Sequence, residues 1–403
     1  MLNEHIARSL QRLSEPAYSS QQVWQPKDYD WPADWEGRCL LALSCLNQIS
    51  DQENTFAHTL VQDLPSHCNE EGFMGAVFNP LAVDEQQLSG HGWLLRGLIA
   101  YHRTYQDTLS IQLATNIVNG LFLPMGKHVK DYPIYRNKTN EGAVSGESNQ
   151  IINNWKVSTD IGCIFIGMDG LADYYIERPS EEIKTLLMDL VDLYCKIDKV
   201  QIRAQTHATL TGARAIMRLY KATGNAKYLT IVRNEFDTYI QHGMTATYEN
   251  FNWYGREDTW TEPCAIVDSF LLALQLFEET KEAIYQQYAR RIWFNGLSFC
   301  HRDNGGAGPN CCVTSNNPIL KISFMEAAFC CTMRYCEGLL FARKYEVLLS
   351  HNPNKEVNIE ADGRAYLDDV LLVKKQDGSI TLITDLLATQ ENIDDTYLVY
   401  WNA

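Results

Sequence analysis

The stretch Ala213-Arg-Ala-Ile-Met-Arg-Leu-Tyr-Lys-Ala-Thr-Gly224 decides how the chain is read. Ala213, Ile216, Met217 and Tyr220 recur at intervals of three and four, which places them on one face of an α-helix. The run closes on a lysine and then a glycine, a helix C-terminal signal. The same period recurs outward on both sides, in Gly37–Ile49, Gly92–Tyr105, Ile183–Ile197, Ala265–Lys281 and Ile322–Tyr345. About ten or more such segments with no strand run between them predict a mainly α fold. A toroid or barrel of paired helices suits that number better than a four-helix bundle.

Past about Tyr345 the pattern changes. Arg364–Val373, Ser379–Leu386 and Tyr397–Trp401 are rich in Val, Ile, Leu, Thr and Tyr, with Asp377-Gly378 as a hairpin signal. The expected organisation is a helical domain over residues 1–345 and a small C-terminal β-strand module over 346–403. A sheet that short needs cover, so it either packs on helices or is the remnant of a longer β-sandwich.

Composition bounds the function. The 403 residues include 45% hydrophobic and 21% charged side chains, ordinary for a globular protein. A formal charge of -16 without a basic run argues against nucleic acid as a partner. The N-terminus has no apolar core or small-residue cleavage site of a secretory signal, and the longest apolar run, Ala265–Phe277, contains Asp268. A soluble, cytoplasmic protein with no membrane partner is expected. The twelve cysteines include two adjacent pairs, which suits buried packing or metal binding in a reducing compartment better than a disulfide scaffold.

Three loops are long and rich in Gly, Asn and aromatic residues: Tyr132–Asn154, His242–Trp260 and Cys300–Asn317. Two of them carry the chemistry. In Glu262-Pro-Cys264 the acid and the thiol are two apart, so an extended backbone turns both to one side, and Pro263 suits a first helical turn. Gly308-Pro-Asn-Cys-Cys312 follows on a glycine-rich loop, where burial for packing is less expected. Three thiolates and a carboxylate suit a tetrahedral Zn2+. The plain alternative is that each cysteine is a small buried hydrophobe, which is how Cys39, Cys45, Cys195, Cys330, Cys331 and Cys336, all within helical runs, are read. Asp84-Glu-Gln-Gln-Leu-Ser-Gly-His-Gly-Trp93 is a polar cluster opening a helix: His91 and Trp93, with Asp84 and Glu85, can bind a sugar, or Asp84 or Ser89 can cap the helix. Trp155, Asp160, Trp253 and Trp260 are further loop candidates for a sugar platform.

From about residue 200 to 345 the sequence resembles glycoside hydrolase family 127, the β-L-arabinofuranosidases and their relatives. The resemblance rests on His207-Ala-Thr-Leu-Thr-Gly-Ala-Arg with Arg218-Leu-Tyr-Lys-Ala-Thr-Gly224, on Glu262-Pro-Cys-Ala, on Ala289-Arg-Arg-Ile-Trp-Phe-Asn-Gly296 and on Asn310-Cys-Cys312, in matching order and spacing. It implies an (α/α)6 barrel with a β-sandwich and a retaining glycosidase with a cysteine nucleophile. By position it implies Glu262, Cys264, Cys311 and Cys312 as Zn2+ ligands, with Cys311 also the nucleophile. It implies His207 as a sugar contact and a glutamate acid/base, for which Glu249 is the nearest candidate and Glu257 the fallback. The chain departs from the family pattern at Pro263, where the family has Thr, and at Val313-Thr-Ser-Asn, where it has prolines after the cysteine pair. The partners implied are a small saccharide or oligosaccharide and at most a second copy in a homodimer. The alternative is a non-catalytic, zinc-stabilised carbohydrate-binding or inactive relative on the same scaffold. Helical-toroid epimerases and thioether cyclases fit the ligands less well; the Cys-His-Gly motif of the cyclases does not occur.

Overall fold

A computed structural model describes residues 1–135, 148–350 and 356–400. Part of the Tyr132–Asn154 loop, and Trp401 of the last expected strand, lie outside the described residues. The chain forms two compact units, one of Met1–Arg12 with Phe236–Ala403 and one of Leu13–Glu235. The fold is mainly α-helical with a sheet in its C-terminal part, as the periodicity predicts.

In the Leu13–Glu235 unit the helices Asp34–Asn47, Glu85–Tyr105 and Ile164–Glu177 pack in sequence order. Glycines set their spacing: a Cβ on Gly37 would lie 2.3 Å from the Leu94 backbone, and one on Gly170 would lie 2.3 Å from the Gly92 carbonyl oxygen. Such close approach leaves no room for any side chain. A buried ion network ties the helices together, with Arg96 and Arg218 both gripping Asp169 and Asp173. Each charge has two or more partners, which is what makes burial of these four groups tolerable. Short strands Val83–Asp84, Trp155–Ser158 and Ser148–Ile152 form a small sheet at the start of the Glu85–Tyr105 helix.

In the other unit the helices Pro263–Thr280, Ala283–Arg291 and Cys331–Lys344 accompany a six-stranded sheet. Its order is Ile319–Lys321, Thr396–Leu398, Val370–Lys375, Ala365–Leu367 and Val357–Ile359, with Ile380–Leu382 also on Val370–Lys375, and every pairing is antiparallel. Gly378, at φ 86°, makes the expected turn between two of these strands. The sheet is covered by helix: Asn295 donates to the Asp369 carbonyl and accepts from the Leu371 amide, while Arg290 pairs with Asp368 and Asp369. The strand Ile319–Lys321 lies between the loop expected to end at Asn317 and the helix expected from Ile322. The helix expected over 322–345 starts only at Cys331, and that difference bears on the site.

The N-terminal helix Leu2–Leu13 is held by an aromatic stack. His5 and His301 lie 4.5 Å apart, His301 stacks on Tyr335, His5 Nδ1 is 2.7 Å from the Tyr335 hydroxyl, and Ser9 Oγ is 3.2 Å from His301 Nε2. Burial, with the N-terminus and Arg8 nearby, pushes the His5 pKa down to about 4, and burial, with the neighbouring His5 ring and the charges of Arg8 and Arg302, pushes His301 well down. Both rings are therefore neutral in the folded protein. The unfolded chain binds the protons first, so this stability is complete above the ordinary histidine pKa and is lost as pH falls toward 4. Thermal unfolding at pH 7.5 and 4.5 should show His5→Phe losing less stability on acidification than the wild type, by about 2–3 kcal/mol. Equal losses would show that His5 is not the titrating group.

Candidate metal and catalytic centre

Glu262 is extended (φ -125°, ψ 110°) at the N-cap of the Pro263–Thr280 helix, with Pro263 in the first turn. Its amide is taken by Asn250 Oδ1 at 3.0 Å. This geometry sets the Glu262 carboxylate and the buried Cys264 thiol within 4.8 Å of each other. Cys330 occupies the N-cap of the Cys331–Lys344 helix. Cys264 Sγ lies 3.7 Å from Cys331 Sγ, and the Cys330 and Cys331 sulfurs are 3.3 Å apart. All three sulfurs fall within 4.8 Å of one another.

Two helix N-termini thus meet at Cys264, which lies within 4.8 Å of the Cys330 and Cys331 thiols and, separately, of the Glu262 carboxylate. The partial positive charge of each terminus favours the thiolate form. Without a cation, burial pushes the Cys331 thiol well up, with Glu262 adding repulsion. A divalent cation reverses that order by removing the protons outright. Tetrahedral Zn–S bonds of ~2.3 Å imply sulfurs roughly 3.8 Å apart, close to the Cys264–Cys331 separation. The donor set is soft and suits Zn2+ better than Mg2+ or Ca2+. One helical turn below, Asp268 and Glu337 flank Arg334, all buried, and lock the two cysteine-bearing helices together.

The other cysteine pair goes elsewhere. Cys311 pairs with Trp260 as an isolated bridge; its amide donates to the Lys321 carbonyl, and its sulfur lies 3.0 Å from the Lys321 amide and from the Ile319 carbonyl oxygen. It faces strand backbone, and burial raises its pKa to about 11. Cys312 Sγ lies 4.0 Å from the Asn250 carbonyl, and burial raises its thiol too. Of the set expected from sequence, Glu262 and Cys264 lie together, and the thiols grouped with Cys264 are Cys330 and Cys331. The available signal was an adjacent cysteine pair just before a helix. Running the helix back to Ile322 hid it.

Glu249 is fully buried. Its Oε1 accepts from Thr261 Oγ1 (3.0 Å) and Asn310 Nδ2 (2.7 Å), and its Oε2 from Thr247 Oγ1 (2.7 Å). Burial raises its pKa to about 7 against the pull of these bonds. Glu257, the fallback, accepts only a long contact from Thr314 at 3.4 Å, in an exposed loop.

In the Leu13–Glu235 unit, His207 stacks on Trp93 with ring centroids 5.6 Å apart, and the Arg38 guanidinium lies 4.3 Å over the Trp93 ring. Both rings are buried. His91 is also buried, and both its nitrogens are engaged, Nδ1 with the Gln87 carbonyl (2.7 Å) and Nε2 with the Met74 amide (3.1 Å). Burial lowers its pKa to about 4. It braces the Met74 loop and, as placed, offers a saccharide nothing, which corrects the substrate-binding expectation. Asp84 caps the helix by accepting from Gln86 and Gln87, and Glu85 accepts from the Tyr132 hydroxyl and the Ser158 amide. Asp160 is a second buried acid whose pKa burial raises to about 7, helped by Glu85 and Asp34. Its Oδ1 has no hydrogen-bond partner among the described residues.

No family model and no curated protein matches the chain. Solved structures do. A glycoside hydrolase family 127 β-arabinofuranosidase aligns with a TM-score of 0.57 at 10% identity, over 94% of this chain and 65% of that one. A family 127 β-L-arabinofuranosidase from Geobacillus stearothermophilus T6 aligns at 0.52 and 11%, over 91% and 64%. A cellobiose 2-epimerase from Bacillus thermoamylovorans B4167 aligns at 0.54 and 14%, over 84% and 99%. The chain spans about two thirds of the length of the family 127 structures it resembles. At these identities the likeness shows the fold, the (α/α)6 class with a C-terminal sheet. Among the described residues no helix is long and apolar enough to cross a membrane.

Proposed function

We propose that this chain is a retaining glycoside hydrolase of the β-L-arabinofuranosidase type. Glu262, Cys264, Cys330 and Cys331 would hold Zn2+, and Cys330 would be the nucleophile. The observation carrying this reading is the buried three-thiol group at two helix N-termini, with the Glu262 carboxylate beside its Cys264. Similarity to family 127 structures supports it, and saccharide-active neighbours of the same fold make a sugar the natural substrate class.

Cys330 is chosen over its neighbours by access. It is 8% exposed, against 2% for Cys331 and 0% for Cys264. Bound Zn2+ would supply charge that keeps the thiols deprotonated at neutral pH. The Cys330 thiolate attacks the anomeric carbon, forming a C–S bond as the glycosidic C–O bond breaks. A carboxylic acid protonates the departing oxygen, then as carboxylate takes a proton from the water that cleaves the C–S bond. Glu249 is the proposed acid/base: a carboxyl with pKa about 7 can do both near neutral pH. The second reading, a non-catalytic zinc-stabilised sugar binder, is favoured by one observation, that every Glu249 oxygen is already engaged.

Metal analysis tests the centre. Purified, reduced protein should carry close to one zinc per chain, and Cys264→Ala should lose it. Chelation should lower the unfolding midpoint by several degrees, because a ligand bound only to the folded state stabilises it. Protein free of zinc and indifferent to chelators would mean that the cysteines are core packing.

A further inference from the structure

The unit containing the cysteine cluster also holds a cavity of about 360 Å³ whose lining includes none of the proposed zinc ligands or Glu249. The loop 244–251 forms one wall, the Ala283–Arg291 helix gives Gln287, Tyr288 and Arg291, and the sheet region gives Glu360, Arg364 and Tyr400. Its polar groups are held in place before any ligand arrives. Arg364 Nη1 donates to the Ala246 carbonyl (2.9 Å) and Arg291 Nη1 to the Tyr248 hydroxyl (2.6 Å). The Arg291 guanidinium lies 4.3 Å over the Tyr366 ring and that of Arg364 lies 5.4 Å over Tyr248. Glu360 bridges both arginines, at 2.8 and 3.4 Å.

We infer that this cavity is a second, non-catalytic binding site for a neutral saccharide of one or two rings. Size allows it, since small-molecule sites start near ~300 Å³. The lining mixes fixed donors and acceptors with tyrosine faces, which matches vicinal hydroxyls around an apolar ring face. Charge selects neutral over acidic ligands. Glu360, Asp362, Asp368 and Asp369 offset Arg290, Arg291 and Arg364 in one network, so an anion would be a fifth negative group against three positive ones. A phosphate or uronate is disfavoured for that reason.

The inference does not depend on the hydrolase reading, and its test separates the two. The full chain is titrated calorimetrically with arabinobiose, cellobiose and glucuronic acid. A neutral disaccharide should bind saturably, glucuronic acid more weakly. Gln287 is exposed, and Tyr288, half-buried, also meets the buried Phe236 ring edge-on, so thermal unfolding accompanies its truncation as a check on the fold. Gln287→Ala and Tyr288→Ala should each weaken binding roughly tenfold, leaving zinc content and nitrophenyl arabinoside hydrolysis unchanged. Cys330→Ser should abolish hydrolysis yet retain the binding. Absence of binding by any neutral disaccharide, binding indifferent to both truncations, or a preference for glucuronic acid would each overturn the site.

Discussion

Cys330→Ser should reduce hydrolysis of nitrophenyl β-L-arabinofuranoside by about 10⁴-fold or more, the scale seen when a covalent nucleophile is removed. Serine keeps the shape, but its hydroxyl is a poor zinc ligand and a far weaker nucleophile at neutral pH. The other three ligands, Glu262, Cys264 and Cys331, remain, so some metal should stay bound. Cys311→Ser is the decisive control. The Cys311 sulfur is turned to the backbone at Ile319 and Lys321, away from the carboxylate–thiol cluster, so this variant should keep its zinc and a rate within about twofold of wild type. Cys312→Ser should behave likewise. A reversed pattern, with Cys311→Ser inactive and metal-free and Cys330→Ser active, would restore the ligand set that the motif spacing suggests.

That contrast also marks how far sequence carried the structure. Helices such as Thr206–Thr223 and Pro263–Thr280 were legible because their apolar period and terminal signals are local. The hairpin at Asp377-Gly378 was legible for the same reason. The cysteine partners were not, because what stops a helix over 322–330 is distant in sequence. Arg302, buried, donates to the carbonyls of Phe299, Gly308 and Met325, while the Ser323 and Ala327 amides go to the Pro309 and Ala307 carbonyls. Those contacts use up the backbone groups a helix would need, and they deliver Cys330 to an N-cap beside Cys264. A run of Phe, Met, Glu and Ala carries no trace of this. His91 failed similarly: its position one helical turn beyond Gln87 is visible, but the Met74 amide that occupies its other nitrogen is not. Asp84, whose capping role depends only on the next three residues, was legible.

Glu249→Gln is the second variant with a large expected effect, a loss of about 10²–10⁴-fold in kcat/KM, the usual range for a general acid/base. The loss should be greatest for alkyl arabinosides, whose leaving oxygen needs the proton, and smaller for nitrophenyl arabinosides, whose leaving group departs unaided. The alkaline limb near pH 7, which tracks loss of the Glu249 proton, should disappear. The fold should survive. A glutamine can still accept from Thr261 and Asn310, and the Thr247 hydroxyl can rotate to accept in place of donating. Stability supplies an independent readout. Because folding raises this carboxyl above its ordinary pKa, the folded state favours the proton, and its contribution is complete below about pH 4.5 and is lost as pH rises through 7. Glutamine never ionises, so Glu249→Gln should gain stability relative to wild type as pH rises from about 4.5 to 7, and the gain should level off above 7. If Glu249→Gln shows the stability signature but leaves the alkyl-arabinoside rate intact, then Glu249 is a clamp on its loop and not the source of the proton.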